Sequence, residues 1–293
     1  MANPANPPSR VAESNWPERP LTLFAPARVR DLPVLEIVAR KLPETVPFKQ
    51  FIVVSPDKEC ETIQRHLGSR ARVQSENNFV PSVTVEALRE LCVEGFPRAA
   101  GWYFQQLLKL QYAFVEPEDD YYLIWDADTV PLRPMRFFDD SGRMLLTKAD
   151  EHHRPYFDTY RRLLGEEPNR EFSFIAQHIL VQKSIAREML ATIERHIPGE
   201  GNWAWKIMRS LPSQGVNLFS EYETYGHYLK SHHPDRVRFI ERAWRRDPSH
   251  KAGCAIPTER ALQTAAEKYD FAAYERADRL WRRLLRRLIA CCR

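Results

Sequence analysis

The sequence predicts an α/β protein whose mixed, mainly parallel sheet is flanked by helices, and three observations predict it. First, Tyr121–Val130 (YYLIWDADTV) is a short apolar run that ends in two carboxylates, Asp126 and Asp128. An apolar run of strand length without alternation is the pattern of a strand covered on both faces. Second, Phe48–Ser55 has the same character, with four consecutive apolar residues from Phe51 to Val54. Third, strand-like and helix-like segments alternate from Leu21 to Ser75, the β-α-β-α-β order that winds a parallel sheet.

Taken in order, Leu21–Ala25 is the first strand, followed by a loop carrying Arg28 and Asp31. Pro33–Leu42 spaces Val34, Leu35, Val38 and Leu42 as a helix does, Phe48–Ser55 is a strand, Glu59–Leu67 a helix and Ala71–Ser75 a short strand. Val83–Cys92 is helical in pattern. Gly101–Phe114 is a helix with an apolar face of Phe104, Leu107, Leu108 and Tyr112, on which Gln105, Gln106 and Lys109 are the polar decoration. After Tyr121–Val130 come strand candidates Met144–Lys148 and Phe172–Val181, a helix at Ser184–His196, a helix after Ser220 and a strand at Val237–Ile240.

A chain of 293 residues, 43% hydrophobic, suits one large domain that needs no disulfide or metal to hold its core. The expected division is a leader at 1–19, rich in Pro, Asn and Ala, a domain over 20–270, and a basic amphipathic helix over 271–293. The net charge of +4 and pI near 8.8 are too mildly basic to call for a nucleic-acid partner. The cysteines (60, 92, 254, 291 and 292) form no Cys-x-x-Cys pair and, apart from the terminal doublet, are dispersed. That usage fits a reducing compartment. No run reaches signal-peptide or transmembrane length. The expectation is a cytoplasmic protein, with any membrane contact peripheral at the inner face.

Several residues carry candidate chemistry. Asp126 and Asp128 fall at the C-terminal end of a buried strand, where open α/β sheets bind their ligands. Alternate residues of an extended chain point the same way, so both carboxylates could reach one divalent cation. The ordinary reading is a strand-end turn with Asp128 as a cap. Lys109 either supplies positive charge towards a diphosphate or belongs to a solvated stripe. In Asn217–Tyr228, Ser220 and Glu223 have the spacing of a capping box, which leaves Glu221 and the aromatic rings unexplained. A carboxylate among aromatics has its pKa raised, which suits a general base or a ligand of sugar hydroxyls. His152 and His153 are adjacent, a poor arrangement for joint chelation, and His178 reads as a core histidine before it reads as a substrate contact. His250 and Lys251, in a basic loop, could close over a nucleotide.

The tail places Leu280, Trp281, Leu284, Leu285, Leu288 and Ile289 on one helical stripe and Arg282, Arg283, Arg286 and Arg287 opposite. That is the form of an in-plane anchor on an anionic membrane surface through residues 279–293; the alternative is a helix docked on its own domain.

Three blocks, Gly101–Lys109 (GWYFQQLLK), Tyr122–Thr129 (YLIWDADT) and Ser220–Gly226 (SEYETYG), together resemble nucleotide-sugar glycosyltransferases of the GT-A fold. More narrowly, they resemble a poorly characterised bacterial glycosyltransferase-like family. The resemblance spans about residues 20 to 245 and implies a GT-A-like, Rossmann-like domain with a nucleotide-binding half and an acceptor half. It implies that Asp126 and Asp128 bind Mn²⁺ or Mg²⁺ bridging the phosphates of a sugar nucleotide, with His250 the candidate third ligand. It further implies donor contacts from Arg28, Asp31, Gln106, Lys109 and Asp126, and an acceptor base or substrate ligand at Glu221 or Glu223. A glycan or lipid-linked acceptor would complete the reaction. The chemistry agrees independently, because a diphosphate leaving group gathers negative charge that a hard cation neutralises.

Two rivals use the same residues. Asp126-Ala-Asp-Thr-Val130 also fits the nucleophile motif of HAD phosphatases, with Asp126 as nucleophile. That motif ends the first strand of its fold, however, and needs a later acidic pair that the sequence after Asp140 does not spell. The other rival is an inactive membrane-surface binding protein on the same scaffold.

Overall fold

The computed structural model describes residues 19–91, 96–115, 119–212, 215, 217–246 and 256–274. The leader, His250, Lys251 and the amphipathic tail from 275 onwards therefore lie outside the described residues. The alternating N-terminal half folds as the sequence predicts. Strands β1 (Leu21–Pro26), β2 (Phe48–Ser55) and β3 (Arg72–Ser75) are separated by helices α1 (Leu32–Thr45) and α2 (Asp57–Leu67). Two helices, α3 (Val85–Glu90) and α4 (Phe96–Gln111), then lead into β4 (Tyr121–Trp125).

The central sheet has the order β3-β2-β1-β4, completed by β7 (His178–Gln182). β1, β2, β3 and β4 run parallel, and β7 is antiparallel to β4. Its interior explains the unalternating runs: Phe51–Val54 and Tyr122–Trp125 are buried on consecutive residues, because helices cover both faces. The chain winds outwards from β1 through β2 to β3, then returns to place β4 on the other side of β1. The strand order thus reverses between β1 and β4. A reversal of that kind opens a crevice beyond the C-terminal strand ends, the ligand position of open α/β sheets.

Past β4 the chain departs from the expected single strand Tyr121–Val130. The strand stops at Trp125, Asp126–Asp128 forms a tight turn closed by Thr129 N donating to Asp126 O at 3.0 Å, and β5 (Thr129–Pro131) begins a second sheet. That sheet, β5-β10-β9, gathers two short strands from the far end of the chain, β9 (Trp244–Arg246) and β10 (Phe271–Ala273). Segment 271–293, expected as an amphipathic helix, therefore opens with a buried strand. A parallel pair, β6 (Met144–Thr147) with β8 (Val237–Ile240), lies beside them.

Four helices pack on the remaining surface: α5 (Arg154–Leu164), α6 (Lys183–His196), α7 (Trp203–Ser210) and α8 (Glu221–His232), with α9 (Glu259–Ala266) before β10. Helix α8 is buried on every residue from Glu221 to Leu229. A helix without an exposed face must satisfy its polar residues internally, and α8 starts at the crevice. Gly226 permits the close packing, since a Cβ there would collide with the Phe174 ring. Among the described residues no helix is long and apolar enough to cross a membrane.

Candidate active site

The crevice is built from the ends of four elements. The register Phe24↔Ile124 carries Pro26 alongside Asp126, so the β1 loop with Arg28 and Asp31 and the β4 turn with Asp126 and Asp128 rise from the same edge. Helix α4 delivers Lys109 in its last turn, where Tyr122 of β4 donates to the Lys109 carbonyl at 2.8 Å. Helix α8 delivers Glu221 and Tyr222 in its first turn, behind the N-cap Ser220.

Lys109 is the centre of this cluster. Its ammonium lies 2.6 Å from Asp126 Oδ1 and 2.6 Å from Glu221 Oε1, donates to the Tyr222 hydroxyl at 3.3 Å, and sits 4.5 Å above the Tyr222 ring. Tyr222 donates in turn to Asp126 Oδ1 at 2.8 Å. Lys109 is only 4% exposed and Glu221 3%. Burial alone would push the lysine pKa down, but Asp126 and Glu221 together outweigh it and hold the ammonium well above its ordinary value. For Glu221 burial wins: its pKa is raised, although Lys109 opposes the shift and Asp126 adds to it. Tyr222 is held firmly as the phenol by burial and by both carboxylates. An ammonium has three donors, and here all three point at protein acceptors. The arrangement makes Lys109 the residue that holds Asp126 and Glu221 together, where sequence reasoning expected an arm reaching to a diphosphate.

The other oxygen of Asp126 faces Gln177, which immediately precedes β7. Hydrogen-bond complementarity sets the orientation of its amide: the nitrogen donates to Asp126 Oδ2 at 3.1 Å and the oxygen accepts from Arg246 on β9 at 3.0 Å. The Gln177 carbonyl also accepts from Asp126 N at 3.0 Å. Gln177 holds a left-handed backbone, φ 63°, which non-glycine residues adopt at an energetic cost and often at functional sites. Arg246 is anchored by Glu151 at 2.6 Å.

The remaining expected residues are placed as follows. Gln106 is buried, and its amide oxygen accepts from Glu221 N at 3.1 Å. It satisfies a first-turn N–H of α8. Arg28 pairs with Glu59 of α2 at 2.7 Å, and Asp31 accepts from Arg28 N at 2.8 Å. Both stay at the crevice edge, with Arg28 partly exposed. Ser220 caps α8 by accepting from Glu223 N at 3.3 Å, but the Glu223 carboxylate turns away from the cap. It accepts from Ser173 Oγ and, at 3.4 Å, from Phe174 N. His227 Nε2 lies 3.0 Å from Glu223, close yet out of line for a hydrogen bond. Glu223 thus belongs to a buried polar knot away from Asp126. Asp128 follows two residues after Asp126, partly exposed, its carbonyl accepting from Tyr274 N at 2.8 Å.

Among the described residues no group of three or more His, Cys, Asp or Glu is gathered to hold a metal ion, and His250 is not among them. Asp126 and Asp128 offer hard oxygen donors from adjacent corners of one turn. Mg²⁺ is ordinarily held by one or two carboxylates, with phosphate oxygens and water filling the other positions. The donor set fits such an ion, shared between protein and a phosphorylated ligand.

Sequence reasoning missed Gln177, Arg246 and Tyr222 as members of the site. The polar pair Gln177-His178 inside the apolar stretch Phe172–Val181 was the available signal for the first.

Comparison with known proteins adds three findings. The model of a family described as "Family of unknown function (DUF6492)" matches residues 33–277. No curated protein matches the chain. Among solved structures, a galactosyltransferase, LgtC, in complex with donor and acceptor sugar analogs is similar at 13% identity and TM-score 0.44, covering 87% of each chain. A mouse xyloside xylosyltransferase 1 in its apo form is similar at 11% identity and TM-score 0.44, covering 87% of this chain and 97% of that one. Similarity at this level is distant.

Proposed function

We propose that this chain, which belongs to the family of unknown function DUF6492, is a metal-dependent glycosyltransferase. It moves a hexose-like sugar from a nucleotide-sugar donor to a glycan or lipid-linked acceptor. The observation that carries the reading is the Asp126–Asp128 turn at the strand-order reversal, with Glu221 drawn to the same ammonium as Asp126. The three sequence blocks that resemble GT-A glycosyltransferases supply β4 with its turn, the Lys109 helix and the start of α8, the elements that converge there.

The charge balance supports metal dependence. Asp126, Asp128, Glu151 and Glu221 outnumber Lys109 and Arg246, so a diphosphate would enter an acidic crevice and be repelled. A divalent ion on Asp126 and Asp128 would cancel that excess and neutralise charge growing on the leaving group. Everything else falls to the chain's own residues. Lys109 and Tyr222 fix the Asp126 carboxylate. Arg28 and Asp31 line the nucleotide side of the crevice. Glu221 is a buried carboxylate with raised basicity, the property wanted in a group that receives a proton or stands against the reacting sugar carbon. Glu223, occupied by Ser173, takes no part in the reaction.

The basic tail, residues 279–293, is proposed to hold the protein on an anionic membrane surface at the cytoplasmic face, where a lipid-linked acceptor would be presented. Liposome co-sedimentation with and without those residues tests it, and unchanged binding refutes it.

The activity is tested by incubating the protein with a panel of sugar nucleotides and Mn²⁺ and following nucleotide release. Slow release that disappears in Asp128→Ala is the expected result. Hydrolysis of phosphomonoesters without nucleotide preference would instead favour a phosphatase with Asp126 as nucleophile. That rival gains nothing from the fold, in which Asp126 ends the fourth strand rather than the first. Absence of nucleotide binding would leave the inactive scaffold.

A further inference from the structure

We propose that Arg246 is a positioning residue that acts on Asp126 through the amide of Gln177, with Glu151 as its anchor. The inference rests on the reading of Asp126 as part of the donor site. The chain of contacts is continuous: Glu151 Oε2 to Arg246 at 2.6 Å, Arg246 to the Gln177 amide oxygen at 3.0 Å, and the Gln177 amide nitrogen to Asp126 Oδ2 at 3.1 Å.

The residue types follow from what they join. Asp126 can only accept and Arg246 can only donate, so the side chain between them must donate at one end and accept at the other. A primary amide does this without charge. A carboxylate at position 177 would face Asp126 with like charge, and a cation would face Arg246 likewise. Gln177 is 5% exposed, and its left-handed backbone brings its own carbonyl onto Asp126 N, so main chain and side chain grip the same residue. The turn is therefore clamped on both carboxylate oxygens, by Lys109 and Tyr222 at Oδ1 and by Gln177 at Oδ2. Arg246 reaches the clamp only because β9 is paired across β10 to β5, the strand that leaves the Asp126–Asp128 turn: Thr129 faces Ala273, which faces Arg246. Residues of this kind orient a ligand they do not touch, and their loss ordinarily weakens metal binding or activity 10- to 100-fold.

The test measures Mn²⁺ binding to the protein in the presence of UDP or GDP, by electron paramagnetic resonance, for Arg246→Met, Gln177→Leu, the double variant, Arg246→Lys and Glu151→Gln. Arg246→Met and Gln177→Leu are each expected to weaken Mn²⁺ binding by about 10- to 100-fold. The double variant should be no worse than the poorer single one, Arg246→Lys should recover most of the loss, and Glu151→Gln should show the smallest effect. Losses that multiply in the double variant, or wild-type affinity in Arg246→Met, overturn the proposal. If the wild-type protein binds neither nucleoside diphosphate with Mn²⁺, it is the glycosyltransferase reading that fails. The same cycle read by urea unfolding then decides the contact chain without any ligand: coupled effects of Arg246→Met and Gln177→Leu support it, and additive effects sink it.

Discussion

Glu221 and Glu223 sit two residues apart on one helix, equally buried at 3% and 1% exposure, and they do opposite things. Residues two apart on a helix point about 200° away from one another. Glu221 faces the β4 turn and is compensated by a full charge, the ammonium of Lys109. Glu223 faces Ser173 and is compensated by neutral hydrogen-bond donors, with His227 alongside. Buried acids are tolerated in either way, but only the first leaves a carboxylate at a ligand crevice. Burial and motif spacing therefore cannot tell these two environments apart; the partner does.

The harshest way to break the comparison is to remove the shared cation. Lys109→Met would leave Asp126 and Glu221 facing each other without a counter-charge, and breaking a buried pair in this way costs about 3–5 kcal/mol. The expected outcome is loss of both stability, measured by urea unfolding, and activity. Stability within about 1 kcal/mol of wild type would show that the lysine does not hold the two carboxylates together.

Separating the two acids requires gentler changes. Glu221→Gln keeps the shape and removes the charge whose burial is unfavourable, so the fold should survive while sugar transfer falls about 10²- to 10⁴-fold, the usual worth of a general acid or base. Glu223→Gln should do the reverse. It disturbs the buried hydrogen bonds from Ser173 and Phe174 at a cost of about 1–3 kcal/mol and leaves turnover near the wild-type value at temperatures where the protein is folded. Reversed outcomes, with activity lost at Glu223 and kept at Glu221, would move the reacting centre to the Ser173 side of α8.

The sequence made much of this legible. The winding of β1, β2 and β3 followed from alternation of segments, and the unalternating run of β4 placed Asp126 at a strand's C-terminal end. Other features had no local signature. Lys109 reads from sequence either as part of a solvated stripe or as a cation for a diphosphate, because nothing in its neighbours reveals that α8 covers that side. Strands β9 and β10 are three residues each, too short for a period, so the arrival of Arg246 beside Gln177 depends wholly on tertiary pairing. Phe172–Val181 read as one strand because its residues are apolar, whereas the left-handed turn at Gln177 ends the irregular approach and starts β7 only at His178.

His178 sharpens the comparison by showing a third way to bury a titratable group, which is to give up the charge. It lies beneath the turn, stacked on Trp125 at 5.1 Å, with edge contacts to Phe137 and Phe271. Burial, helped by the nearby charge of Arg242, pushes its pKa down to about 3. The hydrogen bonds agree. Thr147 Oγ1 accepts from Arg242 Nε at 3.2 Å and lies 3.2 Å from His178 Nε2, while His178 Nδ1 has no hydrogen-bond partner, so the ring lacks the two acceptors an imidazolium needs. Above pH 6.5 both folded and unfolded chains carry a neutral imidazole and the group contributes no pH dependence. Below it the unfolded chain takes up a proton that the folded one refuses. Stability is then lost at up to about 1.4 kcal/mol per pH unit until the folded pKa is reached. Unfolding free energies measured from pH 7 to pH 4 should fall more steeply for the wild type than for His178→Gln, by up to one proton's worth of slope. Equal slopes would mean that His178 keeps its charge in the fold, and that the pocket beneath Asp126 is more polar than its rings imply.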